Sequence, residues 1–409
     1  MKRPETAVGH LDADCFYVSA ERVRDAVLCE KAVGVLGNQG ACVIAKSYEM
    51  KAAGVGTGMP IWDALVKCPM GIYVKRDFHW YEVLSRMMLE IVRDLSPRVE
   101  YYSIDEFFFL ALPPRGKSFQ EMAEAIRDRI WERVRVPVTV GIARTRTLAK
   151  LISDAAKPFG ALAVLDVEAE AHLLADRPVT EITGIAGRRA ARLMPWGIRT
   201  CLDLARADRR LVRSLLTASG ETLWWELNGD PVQPIQPRRP AHKALSRGGS
   251  LGEATADPIV LYAWLVRHLE RLIEELEYHE VRAGRLTVWV AYKDGHVGIG
   301  QTALEAPSDR FDLLLDAARP CLRRAWIPRV PANRMHIIAE RLTPRNRAPL
   351  GLFEPPAERA EAVARLKRAV NDRHGRFTLR SAATLPLVAI YGDPANAYDI
   401  CDVRGKMCF

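Results

Sequence analysis

No cysteine pair at CxxC spacing occurs in this chain, and its eight cysteines are scattered with no histidine cluster beside them. That argues against zinc, whose ligands come in close pairs, and leaves reduced, mostly buried thiols as the default. No apolar run approaches the roughly 20 residues that span a bilayer. The opening Met1-Lys2-Arg3-Pro4-Glu5 lacks the apolar core of a signal peptide. A cytoplasmic chain without a membrane role is therefore expected. Also missing is basic charge near two acidic clusters: within four positions of either, the one basic residue is His10.

What is present is a chain of 409 residues, enough for two to four domains, with a hydrophobic share of 49% and a net charge of +9. The charge favours a polyanionic partner, nucleic acid ahead of membrane. The acidic clusters are His10-Leu11-Asp12-Ala13-Asp14 and Ser103-Ile104-Asp105-Glu106, about ninety residues apart in apolar, strand-like runs. Clustered carboxylates in a buried strand are very costly unless something cationic compensates them, and the lack of nearby basic residues points to a metal ion. On a strand His10, Asp12 and Asp14 share one face, whereas Asp105 and Glu106 point apart unless the backbone turns between them. Asp12, Asp105 and Glu106 then supply three hard oxygen ligands, a set that suits Mg²⁺. Two ions ~3.5–4 Å apart would form the clamp of in-line phosphoryl displacement. The plainer reading is that these acids are strand-end caps or surface charges.

The string Leu11-Asp12-Ala13-Asp14-Cys15-Phe16-Tyr17-Val18-Ser19, followed by Ser103-Ile104-Asp105-Glu106, resembles the Y-family of translesion DNA polymerases, above all its bacterial UmuC-like branch with DinB-like cousins. Gly141-Ile142-Ala143, Leu148-Ala149-Lys150 and Ala156-Lys157-Pro158 continue the match, which covers roughly residues 7 to 385. The resemblance implies two Mg²⁺ ions held by Asp12, Asp105, Glu106 and the Ala13 carbonyl. It implies that Tyr48, Lys51 and Lys157 orient the incoming triphosphate. The family most often has Arg where this chain has Lys51, which binds phosphate as a point charge without a bidentate fork. Backbone N–H groups of Cys15 and Phe16 would face the phosphates. Tyr17 would stack under the sugar and exclude a 2′-hydroxyl; otherwise it is a core aromatic, as Tyr48 would be a helix-packing one. Lys150 reads as a helix-dipole partner.

The resemblance also implies an α+β multidomain fold. A ferredoxin-like palm (residues 1–28 and 75–168) would carry small fingers (29–74). A helical thumb (169–230) would contain a helix-hairpin-helix, a proline-rich linker (231–242) would follow, and a β-α-β-β-α-β little finger (243–345) would precede a tail (346–409). Periodicity places strands at 7–18, 32–36, 41–45 and 136–143, and helices at 19–27, 61–67, 79–95 and 119–134. In the thumb, Gly184, Gly187 and Arg188 would approach DNA phosphate, with Ala186 where the usual pattern has its second glycine. Lys243, Ser246 and Arg247 would touch the template strand, or else line a solvated edge. Leu350, Leu352 and Phe353 resemble peptides that bind the bacterial sliding clamp.

The expected activity is DNA-templated nucleotidyl transfer from a dNTP to a primer 3′-end, error-prone and lesion-tolerant because fingers and thumb are short. Primer–template DNA is the expected partner, with the sliding clamp and SOS accessory proteins beside it. No segment looks able to house a proofreading exonuclease. A catalytically inactive DNA-binding scaffold of polymerase shape is the alternative, and the three retained acids argue against it. A palm-fold nucleotide cyclase is disfavoured by the downstream hairpin and little-finger pattern.

Overall fold

The structure is a computed structural model that describes residues 6–37, 42–238, 241–349 and 358–391. These fall into two compact units that divide within the proline-rich stretch. The first unit opens with β1 (Ala7–Ala13) and α1 (Phe16–Arg24). Then come β2 (Val33–Leu36), β3 (Val43–Lys46), α2 (Tyr48–Ala52), α3 (Ile61–Lys67) and β4 (Ile72–Lys75). Next are α4 (Phe78–Leu95), β5 (Val99–Tyr101), β6 (Glu106–Ala111), α5 (Phe119–Val134) and β7 (Val138–Ala143). It closes with α6 (Arg146–Ala156), β8 (Ala161–Ala163), α7 (Val167–Ala175), α8 (Gly187–Leu193), α9 (Cys201–Arg206) and α10 (Arg209–Leu227).

The central sheet runs β5-β6-β1-β7-β8. Taking β1, α4, β5, β6, α5 and β7 in sequence, this is the βαββαβ order of a ferredoxin-like fold with β8 added in parallel at one edge. Every residue of β1 and of β7 is buried, as expected of strands with neighbours on both sides and helices on both faces. The first strand was read as running to residue 18, but it ends at Ala13. Cys15 takes a left-handed conformation (φ 48°) and Phe16 already begins α1. An apolar run that crosses from a buried strand into a buried helix face gives no periodic signal at the junction.

A second small sheet, β3-β2-β4, pairs β2 antiparallel with β3 and parallel with β4, around Val43, Met50, Val55 and Ala64. The expected hairpin turn between β2 and β3 lies mostly outside the described residues. On the far side of α6, one continuous core joins Leu148, Leu151 and Ile152 to Leu174, Ile182, Leu193, Leu204 and Leu216 of the helical segment. Helix α6 is thus packed on both sides.

The second unit holds β9 (Ala244–Thr255), α11 (Pro258–Tyr278), β10 (Val281–Tyr292) and β11 (Val297–Ser308). It continues with α12 (Phe311–Ala325), β12 (Ala332–Glu340), β13 (Thr343–Pro344), α13 (Glu358–His374) and α14 (Val388–Tyr391). Its sheet runs β11-β10-β12-β9, again a β-α-β-β-α-β arrangement. Leu286, Val288 and Val290 of β10 and Met335, Ile337 and Ala339 of β12 join the helices α11 and α12 in one core. Trp289 and His336 alternate onto the other face, their rings 5.6 Å apart.

Candidate active site

The acidic residues meet where β1 and β6 pair. Asp12 lies directly across from Glu106, and the Ala13 N–H donates to the Asp105 carbonyl at 2.9 Å. Asp105 belongs to the turn between β5 and β6, so the backbone does turn between the two acids. Tyr102 and Ser103 N–H groups close that turn on the Glu106 carbonyl at 3.1 and 3.0 Å. Buried Ser85 of α4 donates to the Ile104 carbonyl and fixes the turn from behind. The Ser103 hydroxyl donates to the Asp105 carboxylate and lies 3.5 Å from Glu106 Oε2. Ser103 thus touches both acids, donating to Asp105 and reaching the edge of Glu106.

The compensating charge comes from α6 and its C-cap. Lys150 Nζ pairs with Glu106 Oε1, and Lys157 Nζ lies 2.9 Å from Asp12 Oδ2 and 3.0 Å from Asp154 Oδ1. A search limited to four positions around each acid could not find these lysines, which are distant in sequence. The signal available was their own placement, Lys150 inside a helix and Lys157 at its end before Pro158. Lys150 sits in the second turn of α6, not the last, so its partner is Glu106 and not the helix dipole. Gly141 of β7 lets α6 approach this closely: a Cβ there would stand 2.4 Å from the Ala149 carbonyl oxygen and the Ser153 nitrogen.

Burial outweighs the Lys157 ammonium and pushes the Asp12 carboxyl up from its usual range, with Glu106 adding to the rise. Burial also acts against charge on Lys157 and Lys150, but Asp12 and Glu106 outweigh it, and both amines lie above their usual range. His10 faces α6 as well, its Nδ1 2.7 Å from Ser153 Oγ, and burial holds it well below its usual value. Asp14 serves the scaffold. Its carboxylate accepts from Phe159 N–H at 2.7 Å and from Thr139 Oγ1 at 3.1 Å, and Tyr48 OH lies 3.5 Å away. The oxygen donors of Asp12, Asp105 and Glu106 fit a hard divalent cation in chemistry and in neighbourhood. Among the described residues, however, no three acidic, cysteine or histidine side chains already close on one point.

Tyr17, on the first turn of α1, stacks on Tyr81 at 4.7 Å with 16° between the rings and meets Phe78 edge-on at 5.6 Å. Phe16 is buried beside it, so its ring cannot face a ligand, and only its backbone can. Tyr48 opens α2, capped by the Ser47 hydroxyl, and is half-exposed. Lys51 is exposed at the end of α2. Burial first, and then the Lys51 ammonium, push the amine of Lys46 below its ordinary range.

Gly184 (φ 95°), Gly187 and Arg188 lie together on an exposed turn, with Gly187 opening α8. In the second unit Lys243 is exposed and Ser246 half-buried. Arg247 is a correction. It stands opposite Ile337, so its side chain points into the helix-covered face, where it is buried and paired with Glu275 of α11. Strand alternation separates it from Ser246, which a run of polar residues read as one edge had hidden. Leu350, Leu352 and Phe353 lie outside the described residues.

Residues 11–154 match the impB/mucB/samB family, and residues 242–352 match that family's C-terminal domain. DNA polymerase IV 1 of Bacillus subtilis (strain 168) is 30% identical over 384 residues, covering 92% of both chains. The chain belongs to the impB/mucB/samB family. Within it, the chain is of the UmuC/DinB-like kind of Y-family polymerase. DNA polymerase IV 2 of Mesorhizobium japonicum (strain LMG 29417 / CECT 9101 / MAFF 303099) is 35% identical over 326 residues, covering 77% of this chain and 75% of its own. Among solved structures, a Y-family DNA polymerase chimera of Dbh and Dpo4 superimposes with a TM-score of 0.69 at 24% identity. It covers 82% of this chain and 99% of its own. The fold is accordingly the palm, fingers, thumb and little finger of that family.

Proposed function

We propose that this protein is a DNA-templated DNA polymerase of the translesion kind, extending a primer 3′-end from dNTPs and releasing pyrophosphate. The observation that carries the reading is the meeting of Asp12 with Glu106 across paired strands, Asp105 at the adjoining turn, in a chain whose relatives are named DNA polymerases. Asp12, Asp105 and Glu106, with the Ala13 carbonyl, would hold Mg²⁺. Bound there, the ions supply Lewis-acid activation of the primer hydroxyl and neutralise charge on the departing pyrophosphate.

The chain's own residues do the rest. Ser103 holds Asp105 and reaches the edge of Glu106. Lys157 leaves Asp12 for the triphosphate, while Tyr48 and Lys51 hold it from the α2 side. The N-terminus of α1 turns the Cys15 and Phe16 N–H groups toward the same phosphates. Tyr17 lies under the sugar. Gly184, Gly187 and Arg188 contact one stretch of the duplex backbone, and Lys243 and Ser246 another. We assign residues 1–28 and 75–168 to the palm, 29–74 to the fingers, 169–230 to the thumb and 243–345 to the little finger. Leu350, Leu352 and Phe353 are assigned to a sliding clamp.

Primer extension with Mg²⁺ on undamaged and abasic templates tests the activity. Replacing Asp105 and Glu106 by Ala should abolish extension while DNA binding stays near normal. Extension retained by that variant overturns the assignment of the acids.

A further inference from the structure

Two of the three acids are already matched by ammonium groups, one from Lys150 within α6 and one from Lys157 at its C-cap. Lys150 is paired with Glu106 and Lys157 with Asp12. The side chains are poorly exposed, 16% and 12% for Lys150 and Glu106, 27% and 13% for Lys157 and Asp12, so solvent screens these pairs less than it screens surface pairs. A divalent cation arriving at the same carboxylate repels the ammonium already there across a half-buried cleft, which favours transfer of the ammonium to another anion. Asp154, the acid available on the same helix, is already engaged by Lys157.

We propose that Lys150 is a positioning residue for the divalent ion: it holds Glu106 while the ion is absent and is exchanged for the ion when a nucleotide triphosphate arrives to receive the displaced charge. This rests on the reading that Asp12, Asp105 and Glu106 form the ion site. Ion and nucleotide then bind with positive coupling, each lowering the cost of the displacement that the other requires. Lys157 shares the exchange at Asp12, and Lys150 extends it to Glu106, the acid at the paired strand.

The test is a Mn²⁺ titration followed by electron paramagnetic resonance. It uses the full chain with primer-terminated template DNA, with and without the complementary dNTP, for wild type, Lys150→Met and Lys150→Arg. Without nucleotide, Lys150→Met should bind Mn²⁺ roughly tenfold tighter than wild type, a size ordinary for coupled sites. Its gain on adding dNTP should shrink by a similar factor, and Lys150→Arg should restore the wild-type pattern. Equal or weaker Mn²⁺ binding by Lys150→Met without nucleotide overturns the exchange. Wild type that binds no Mn²⁺ under either condition overturns the ion site as well, so the two failures are told apart. Should Lys150→Met fail to fold by circular dichroism, Lys150→Gln carries the same comparison, since it keeps a donor to Glu106 without the charge.

Discussion

Tyr17 is held by its neighbours. One face of its ring rests on Tyr81, which is fully buried and whose hydroxyl donates to Glu21. Phe78 closes one edge. An aromatic fixed on so firm a base cannot swing away from a bulkier sugar, and that is what a steric filter needs. Tyr17→Ala should therefore lower discrimination against ribonucleotides by roughly 10- to 200-fold, the range for a modest steric contact. Tyr17→Phe should keep it. The ratio of kcat/KM for dNTP to that for rNTP is the measurement, and an unchanged ratio in the Ala variant removes Tyr17 from the role. At this scale the acids were legible, because carboxylates in apolar strands stand out. Their ionic partners were not, since Lys150 lies 44 residues from Glu106 and only the packing of α6 on β1 and β7 brings them together.

Helix α6 owes its placement to a missing side chain. At Gly141 the helix backbone comes so near β7 that any Cβ would overlap the Ala149 carbonyl oxygen and the Ser153 nitrogen. Backbone atoms cannot rotate aside as a side chain can, so Gly141→Ala must lift the helix. Overpacking of this kind costs roughly 1–3 kcal/mol, and it moves Lys150 and Lys157 together. We expect a lower melting temperature and a loss of primer extension in that variant; wild-type values for both would show that the helix is not seated as described. Arg247 teaches the converse. Reading Lys243, Ser246 and Arg247 as one polar edge overlooked that alternate strand residues face opposite ways. The structure buries Arg247 against Glu275. Removing one member of a buried pair costs about 3–5 kcal/mol, so Arg247→Ala should destabilise the protein strongly. Its DNA affinity at a temperature where it stays folded should remain close to wild type, as measured by fluorescence anisotropy. A large loss of affinity without a loss of stability would return Arg247 to the DNA-contact role.

Across the whole molecule the same physics divides the chain in two. Elements close in sequence were readable from their periodicity, and the β-α-β-β-α-β order after residue 243 is an example. What periodicity could not convey is which cores are shared. Leu148, Leu151 and Ile152 join the helices after residue 167 in one hydrophobic cluster, so the expected palm and thumb are packed as a single body. The cluster built on α11, β10 and β12 is a separate one, and the division between the two compact units falls in the proline-rich stretch. Bodies with separate cores need not unfold together, because cooperativity is carried by contacts within a core. Scanning calorimetry should therefore resolve more than one transition, and the two variants above assign them. Gly141→Ala acts at the first core and Arg247→Ala at the second, so each should lower one transition and leave the other in place. A single transition shifted by both substitutions would mean that the two units unfold as one, and the separation read from their cores would then be wrong.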